Sequence, residues 1–313
     1  RHTATSIRTG WVFSFDGGTL TRSSVLNVTP NGSRGGLWSA GAGPAADDQG
    51  NVYVLDGNGT FDTTLTAGGF PNRGDFGNAF IKIATAGGLS VADYFATFDT
   101  VARSNADTDL GSGGALVLPD LIDSTGTTRH LAVGAGKDAH IYVVDRDAMG
   151  KWNASSNQNY QDINGALGGS VFSMPAYFNN TLYYGASGRQ LRAFPITNAR
   201  VASASSSATA VSYVFPGTTP SISADGTANG IVWAVENKNP AVLHAYDARD
   251  LSHELYNSTQ APNSRDAFGA GNKFITPTIV NGHVYVGTPN GVAVFGLLGQ
   301  IPAPPTGLRI ISG

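Results

Sequence analysis

One phrase recurs along the chain and constrains its fold more than any other feature. A proline leads into a short apolar run, a tight turn follows, and an aromatic residue then lies in the next alternating run. "TPTIVNGHVYVGTPNGVAVFG" at residues 276–296 shows the pattern in full. Related phrases begin at Gly43, Met174 and Thr219, and a weaker one begins at Gly114. Short alternating runs bounded by turn residues predict antiparallel strands joined by hairpins.

The central residue of the second strand in each phrase gives the period of the repeat. These residues are Tyr53, Val133, Tyr183, Trp233 and Tyr285, with successive spacings of 80, 50, 50 and 52 residues. The longer first spacing indicates an insertion of roughly 30 residues between positions 61 and 112. A repeat of about 50 residues with four short strands predicts an all-β fold, a β-propeller of four-stranded antiparallel blades.

The chain holds about five blades' worth of strands. It begins with strands C and D of one blade at residues 10–29 and ends on strands A to C near 273–297. The four fuller blades between them are predicted at about 36–98, 113–165, 171–216 and 218–259. A propeller removes its sheet edges by closing a ring. We therefore expect part of a larger propeller of seven or eight blades, completed by missing N-terminal blades or another chain. A closed five-bladed ring is the less favoured alternative.

The predicted propeller covers residues 1–298, and a different kind of sequence follows it. Residues 299–313 read "GQIPAPPTGLRIISG". Proline-rich segments favour extended polyproline conformation and commonly link domains. We expect a linker here, leading toward a following β-sandwich module.

Composition agrees with an all-β protein and excludes several classes of function. The chain has only 2 Glu and 5 Lys, residues that usually fill exposed helix faces. A net charge of −3 gives no electrostatic footprint for nucleic acid. No apolar run is long enough to span a membrane. The absence of cysteine excludes disulfides and thiolate catalysis.

Glycosylation sequons give an expectation about location. Six Asn-x-Ser/Thr sequons occur, at Asn27, Asn31, Asn58, Asn153, Asn179 and Asn257. We expect an exported protein, secreted or extracellular, and a periplasmic location fits the same features. Whether the sequons carry glycans stays open.

The end of strand C carries a resemblance to a known family. "VVDRDAMGKW" at residues 143–152 resembles the pyrroloquinoline quinone (PQQ) repeat of quinoprotein-type propellers, and "YDARDLSHELYNS" at 246–258 is a looser version. Residues 11–298 resemble the C-terminal part of bacterial extracellular proteins that contain this repeat. The resemblance implies the propeller fold. It implies an activity only weakly, because many such propellers bind no quinone and some scaffold other proteins.

Two functions from different classes follow. The first is a scaffold that binds a small molecule, a glycan or a protein through its loop face or central channel. The alternative is a PQQ- and calcium-dependent oxidoreductase that acts on an alcohol or a sugar. Quinoprotein enzymes of this kind need an Asp or His base and a Ca²⁺ held by carboxylate and amide oxygens. No motif assigns catalytic residues in this chain, and the adjacent cysteines of the alcohol dehydrogenase type are absent.

One loop resembles part of a calcium site. In "NADTDLGSGG" at 105–114, Asn105, Asp107 and Asp109 alternate before Gly111, as in the first half of a calcium loop. The distal bidentate carboxylate of such loops is missing. The alternative is a series of Asx turns that leads into strand A.

A second set of residues is predicted to face a ligand in the channel or on the loop face. Inner strands line the channel of a propeller, and polar or aromatic residues near them are candidates. The candidates are Trp38, Ser39, Ser112, Lys137, Asp138, Phe172, Ser173, Arg265, Asp266 and Lys273. Five of these residues have an ordinary alternative: Arg265–Asp266 as a surface ion pair, Lys273 along an apolar wall, and Lys137–Asp138 in a solvated hairpin turn. His244 is expected to be a single hydrogen-bonding residue.

Overall fold

The computed structural model describes residues 8–297, so the predicted linker at 299–313 lies outside the described residues. Within this range the chain is built almost wholly from β-strands. It contains one short α-helix, α1 (Thr100–Asn105), and two 3₁₀ turns, Leu110–Ser112 and Pro262–Ser264.

The strands form a series of six sheets that follow chain order. Sheet 1 contains β1 (Trp11–Phe15) and β2 (Arg22–Asn27). Sheet 2 contains β3 (Ala45–Ala46), β4 (Val52–Leu55), β5 (Phe80–Ala84) and β6 (Ser90–Phe95). Sheet 3 contains β7 (Leu116–Val117), β10 (Leu131–Ala135), β11 (Ile141–Asp145) and β12 (Gln161–Ile163). A small hairpin, β8 (Leu121–Ile122) and β9 (Thr128–Arg129), is inserted between β7 and β10.

The remaining sheets repeat the plan. Sheet 4 contains β13 (Ala176–Phe178), β14 (Thr181–Gly185), β15 (Arg189–Thr197) and β17 (Ser207–Tyr213), with β16 (Arg200–Val201) paired to the end of β15. Sheet 5 contains β18 (Ser221–Asp225), β19 (Ala228–Glu236), β20 (Val242–Asp247) and β21 (Asp250–Asn257). Sheet 6 contains β22 (Thr278–Val280), β23 (His283–Thr288) and β24 (Gly291–Phe295). Neighbouring strands in every sheet are antiparallel and in meander order, as the repeat predicts.

The recurring phrase maps onto the inner hairpin of a blade. Between β22 and β23 the chain turns at Asn281 and Gly282, whose φ angles are 50° and 73°. Positive φ at both turn residues is the type I′ geometry that joins twisted antiparallel strands. Pairing of Val280 with His283 across this turn sets the register. Tyr285 then faces Thr278, which explains the fixed distance between the proline and the aromatic residue.

Alternation along each strand places side chains on two opposite sheet faces, and each face packs against a different neighbouring sheet. On β4, Tyr53 and Leu55 pack with sheet 3, whereas Val54 packs with sheet 1. On β10, Ala132 packs with sheet 2, whereas Leu131 and neighbouring odd positions pack with sheet 4. Each large apolar side chain buried in this way contributes about 1.5–3 kcal/mol. Face-to-face stacking of successive four-stranded sheets is the architecture of a β-propeller, which confirms the predicted fold.

The two outermost sheets each leave one apolar face exposed. On β1, Val12 packs inward against sheet 2, but Trp11, Phe13 and Phe15 are 49%, 49% and 57% exposed. On β24, Val292 and Val294 are exposed in the same way. Exposed apolar faces of this extent are unusual on the surface of a monomeric protein. Sheets 1 and 6 also have two and three strands, whereas sheets 2 to 5 have at least four.

Among residues 8–297, no helix is long and apolar enough to cross a membrane.

Candidate functional site

The loops that lead from an outer strand to the next inner strand meet at one end of the propeller axis. Trp38 precedes β3, Phe172 precedes β13 and Phe274 precedes β22. Ser39, Ser112, Ser173 and Lys273 also precede their inner strands and do not lie on them. The inner strands therefore start later than the sequence pattern predicts, and the candidate residues belong to the loop face.

These loops enclose a cavity of about 350 Å³, which we call the mouth site. Its lining residues are Trp38, Ser39, Ala40, Gly41, Asp109, Ser112, Lys137, Phe172 and Phe274. Five of the ten predicted ligand-facing residues thus line one cavity, together with one of the three predicted metal ligands. Phe274 was not predicted.

Aromatic rings form the rim of the mouth site. Trp38 is 72% exposed, although its ring lies against the backbone of Gly57, where an added Cβ would come within 3.1 Å of the indole. The Phe172 and Phe215 ring centroids are 5.1 Å apart, and those of Phe215 and Phe274 are 6.5 Å apart. Exposed aromatic rings grouped around a cavity favour a ligand with a flat apolar surface.

A loop of the chain forms the floor of the mouth site. Gly41 has a φ of 66°, and its carbonyl accepts a hydrogen bond of 2.6 Å from the Thr276 hydroxyl of the last blade. A Cβ at Gly41 would lie 2.4 Å from Thr219 Oγ1. Glycine is required here because the left-handed backbone and the close approach both exclude a side chain. The loop after sheet 1 therefore contacts sheets 5 and 6 across the propeller axis.

Lys137 is the cation of the mouth site and is held by two carboxylates. Its Nζ lies 2.5 Å from Asp107 Oδ1 and 2.8 Å from Asp109 Oδ1. Burial opposes the charge on Lys137, but hydrogen bonds with Asp107 and Asp109 raise its pKa. The Lys137 hydrogen bond, with a second one from Asn58, lowers the pKa of Asp107. One ammonium therefore faces two carboxylates, which fully compensate its charge, and Asp109 is almost wholly buried.

Asp56 lies behind the mouth site and was not predicted. It follows β4 directly, it is fully buried, and neither carboxylate oxygen has a hydrogen-bond partner of normal geometry. Burial raises the pKa of Asp56 well above its ordinary value; the nearby Gly57 N–H opposes this shift and the charge of Asp109 adds to it. Asn58 Oδ1 is a second buried oxygen without a partner in the same loop.

The predicted metal trio does not converge in the way its spacing suggests. Asn105 is the last residue of α1, whereas Asp107 and Asp109 both face the Lys137 ammonium. A cation bound between the two carboxylates would have to displace Lys137. Residues 8–297 contain no group of three or more His, Asp or Glu side chains arranged to hold a metal ion. The metal assignment of Asn105, Asp107 and Asp109 stays a prediction from the sequence.

Several other predicted residues have partners elsewhere. Asp138 is buried, pairs with Arg103 and accepts a hydrogen bond of 2.6 Å from the Tyr142 hydroxyl. Burial is the main cause that raises the pKa of Asp138. Arg265 and Asp266 form a bidentate surface pair beside a separate groove between sheets 5 and 6.

Ser173 and Lys273 complete the predicted set. Ser173 is buried and its hydroxyl has no partner. The Lys273 ammonium lies 4.9 Å from the centre of the Phe215 ring, an attractive cation–π distance at the edge of the aromatic rim.

Comparison with known proteins supports the fold. No protein-family model matches the sequence, and no curated protein matches it. Among solved structures, quinohemoprotein alcohol dehydrogenase from Comamonas testosteroni is 15% identical, with a TM-score of 0.57, and the match covers 97% of this chain and 58% of that chain. Quinohemoprotein alcohol dehydrogenase ADHIIG from Pseudomonas putida HK5 is also 15% identical, with a TM-score of 0.54 over 89% of this chain and 52% of that one.

These likenesses confirm the resemblance to quinoprotein-type propellers at the level of fold. At 15% identity they show the fold alone. The chain spans little more than half the length of the two enzymes that it matches.

Proposed function

We propose that this propeller binds a small organic ligand in the mouth site. The observation that carries the proposal is the exposed Trp38 ring on the rim of a cavity whose floor and walls carry fixed polar groups. The apolar surface of an exposed tryptophan has an unfavourable free energy of contact with water. A ligand face that covers the ring removes this contact and so gains free energy. The charges of Lys137, Asp107 and Asp109 are already paired, so their geometry is fixed before a ligand arrives. Prearranged polar groups beside an apolar platform are typical of small-molecule sites.

The test is a ligand screen read out with two tryptophan variants. A library of ring-containing compounds, including sugars, aromatic carboxylates and quinones, is screened by ligand-observed NMR. We expect bound compounds to lose affinity by about tenfold or more in Trp38→Ala, since a stacked ring contributes on the order of 1.5 kcal/mol or more. Trp11→Ala removes an exposed tryptophan on the first sheet and is the matched control. The proposal would be contradicted if every bound compound had the same affinity for Trp38→Ala as for Trp11→Ala, or if the library contained no binder that depends on Trp38.

A second candidate function is a PQQ- and calcium-dependent oxidoreductase acting on an alcohol or a sugar. The observation that favours it is the set of buried side-chain oxygens without partners on Asp56 and Asn58, because carboxylate and amide oxygens are the ligands that Ca²⁺ prefers. Trp38 offers a stacking face and Asp109 a carboxylate that could hold a substrate proton. A bound quinone would supply the electron acceptor for oxidation of the alcohol. Against it, a quinone with several carboxylates would meet a Lys137 already neutralised by two aspartates.

Dye reduction separates the two candidates. The protein is incubated with PQQ and Ca²⁺, and dye-linked oxidation of alcohols and sugars is measured. Tight PQQ binding with dye reduction supports the oxidoreductase. If PQQ does not bind tightly and no dye is reduced, the binding function is the candidate that remains. Export of the protein stays a prediction from the sequence.

We further propose that additional propeller blades cover the exposed faces of sheets 1 and 6. Each interior sheet in this chain buries both faces against neighbours, and the outermost sheets have the same alternating apolar pattern. The solved propellers that it matches extend well beyond the matched part. The covering sheets come either from further sequence of the same protein or from another chain.

Self-association of the isolated 313-residue chain tests the exposed face of sheet 1. We expect it to associate in a concentration-dependent manner, and Trp11→Ser with Phe13→Ser to weaken that association by about tenfold or more, because each change removes apolar contact area. Analytical ultracentrifugation measures the effect. Ile122→Ser, at a 57% exposed position on the β8–β9 hairpin, is the control that should change little. A wild-type protein that is monomeric at all concentrations would contradict the expectation.

A further inference from the structure

The proposed ligand can be narrowed by the charge balance of the mouth site. The Lys137 ammonium contacts two carboxylates, and Arg103 on α1 is paired with Asp99 and Asp138. An anionic ligand would gain little from cationic groups whose charges are already compensated, and a ligand of either sign would pay to desolvate its own charge. A neutral ligand meets no such penalty.

The same groups suit hydroxyls well. A carboxylate only accepts hydrogen bonds and an ammonium only donates them, whereas a hydroxyl does both. Lys137 and Asp109 both line the cavity and lie 2.8 Å apart, so they present a donor and an acceptor side by side to a molecule with adjacent hydroxyls. Hydrogen bonds to charged groups are stronger than those between neutral groups.

The aromatic rim supplies the other half of the recognition. The face of an aromatic ring carries negative quadrupole charge, and it attracts the weakly positive C–H bonds on the face of a sugar ring. Trp38, Phe172 and Phe274 line one cavity, and Phe215 contacts Phe172 just outside it. The cavity volume of about 350 Å³ lies near the lower end of the range for small-molecule sites. One sugar ring would lie inside the cavity, and a second sugar ring would lie over the neighbouring Phe215 ring.

We propose that the mouth site binds a neutral glycan by its end, with one sugar ring stacked on Trp38 and its hydroxyls bonded to Lys137 and Asp109. This inference rests on the proposed binding function and adds the ligand class. The flat apolar face of the sugar accounts for the exposed aromatic rim, and its hydroxyls account for the compensated charges.

Titration with defined neutral oligosaccharides tests the proposal. Xylo-, manno-, cello- and malto-oligosaccharides of two to about six units are titrated by calorimetry and by tryptophan fluorescence. We expect at least one series to bind with a Kd between about 10 μM and 1 mM, the weak range of small sites with few contacts. Trp38→Ala and Phe274→Ala should each weaken binding by about tenfold. Lys137→Met should weaken it by a similar factor, since it removes a charged hydrogen-bond donor. Trp11→Ala should have no effect.

The outcomes separate this inference from the proposed function. If no neutral oligosaccharide binds but another compound binds with dependence on Trp38, the glycan is wrong and the binding function stands. If no compound of either set shows Trp38-dependent binding, both are wrong. Oligosaccharide binding that survives Trp38→Ala, Phe274→Ala and Lys137→Met places the glycan elsewhere and overturns this proposal. Circular dichroism of each variant confirms the fold, and two exposed aromatic positions provide independent tests.

Discussion

Replacing His244 with alanine is expected to lower the free energy of unfolding by about 2–4 kcal/mol, because it removes a buried ring and leaves its hydrogen-bond partners unsatisfied. His244 lies on β20 with its side chain only 5% exposed. Its Nδ1 is 2.6 Å from Glu254 Oε1 on β21, and its Nε2 is 3.4 Å from Glu236 Oε2 on β19. The only two glutamates of the sequence therefore converge on one imidazole.

The loss comes from the carboxylates that the ring leaves behind as well as from the ring itself. Without it, Glu236 keeps Lys238 at 2.7 Å and Glu254 keeps the Asn257 amide at 2.8 Å, but two partly buried negative groups face an empty space. The ring also stacks on Tyr246, with centroids 5.8 Å apart, and that packing is lost too.

Urea denaturation at neutral pH measures this effect, and His253→Ala is the matched control. His253 lies on neighbouring β21 with a 64% exposed side chain and only a distant contact of 3.9 Å to Asp247. Its removal should change stability by less than about 0.5 kcal/mol, as for most surface substitutions. A loss below about 1 kcal/mol for His244→Ala would show that the two glutamates find water or other partners, and that the cluster does not stabilise sheet 5.

The His244 cluster also shows what sequence reasoning missed. The sequence predicts His244 on a strand and treats it as a single hydrogen-bonding residue. Glu236 and Glu254 lie 8 and 10 residues away, on the two strands that flank β20. Their convergence depends on the register of three strands, including irregularities in the β20–β21 pairing. Local pattern does not determine register at that level, because a shift of one residue reverses the face of every side chain.

The fold itself was predictable because its determinants are local. Asn281–Gly282 sets a turn, Pro277 marks the approach to an inner strand, and Tyr285 lies at a fixed distance in the partner strand. Each repeat has the same turn, proline and aromatic positions within about 20 residues. The number and order of the sheets can therefore be predicted from the number and order of the repeats. Part of the mouth site follows for the same reason. Phe172 and Phe274 each lie four residues before the first residue of an inner strand, and equivalent positions in a propeller meet around its axis, whereas Trp38 lies seven residues before β3.

The insertion after β4 and the segment before β7 could not be predicted from local pattern. Helix α1 has no side-chain N-cap and no acidic residue in its first turn. It is held instead by Asn78, whose amide donates to Thr100 O and whose carbonyl accepts from the Thr100 hydroxyl. In the structure α1 ends at Asn105, and Asp107 and Asp109 lie beyond it and contact Lys137. The contacts of Asn78 with Thr100, 22 residues away in the sequence, hold the first residue of the helix.

Asp56→Asn is expected to stabilise the protein at neutral pH by about 1–3 kcal/mol, since it replaces a fully buried carboxyl without hydrogen-bond partners by a group that carries no charge at any pH. Burial raises the pKa of Asp56, so the folded state binds a proton more tightly than the unfolded state, whose carboxyl titrates near 3.9. The contribution of Asp56 to stability is therefore fully present below that pH. This contribution to stability is lost as the pH rises through the folded-state pKa, because the carboxyl then releases its proton and the folded protein has to bury the resulting charge.

The pH profile distinguishes this effect from ordinary carboxylates. Asp123 and Asp247 have pKa values lowered chiefly by side-chain hydrogen bonds. Their contribution to stability is therefore lost as the pH falls, whereas that of Asp56 is lost as the pH rises. Urea denaturation of the wild type and of Asp56→Asn between pH 4 and 8 should give a difference that grows with pH. Asp48→Asn, at an exposed carboxylate, should show no such growth. A constant difference would mean that Asp56 is not the group that titrates. A wild type that becomes the more stable form only when Ca²⁺ is added would instead assign Asp56 to a cation.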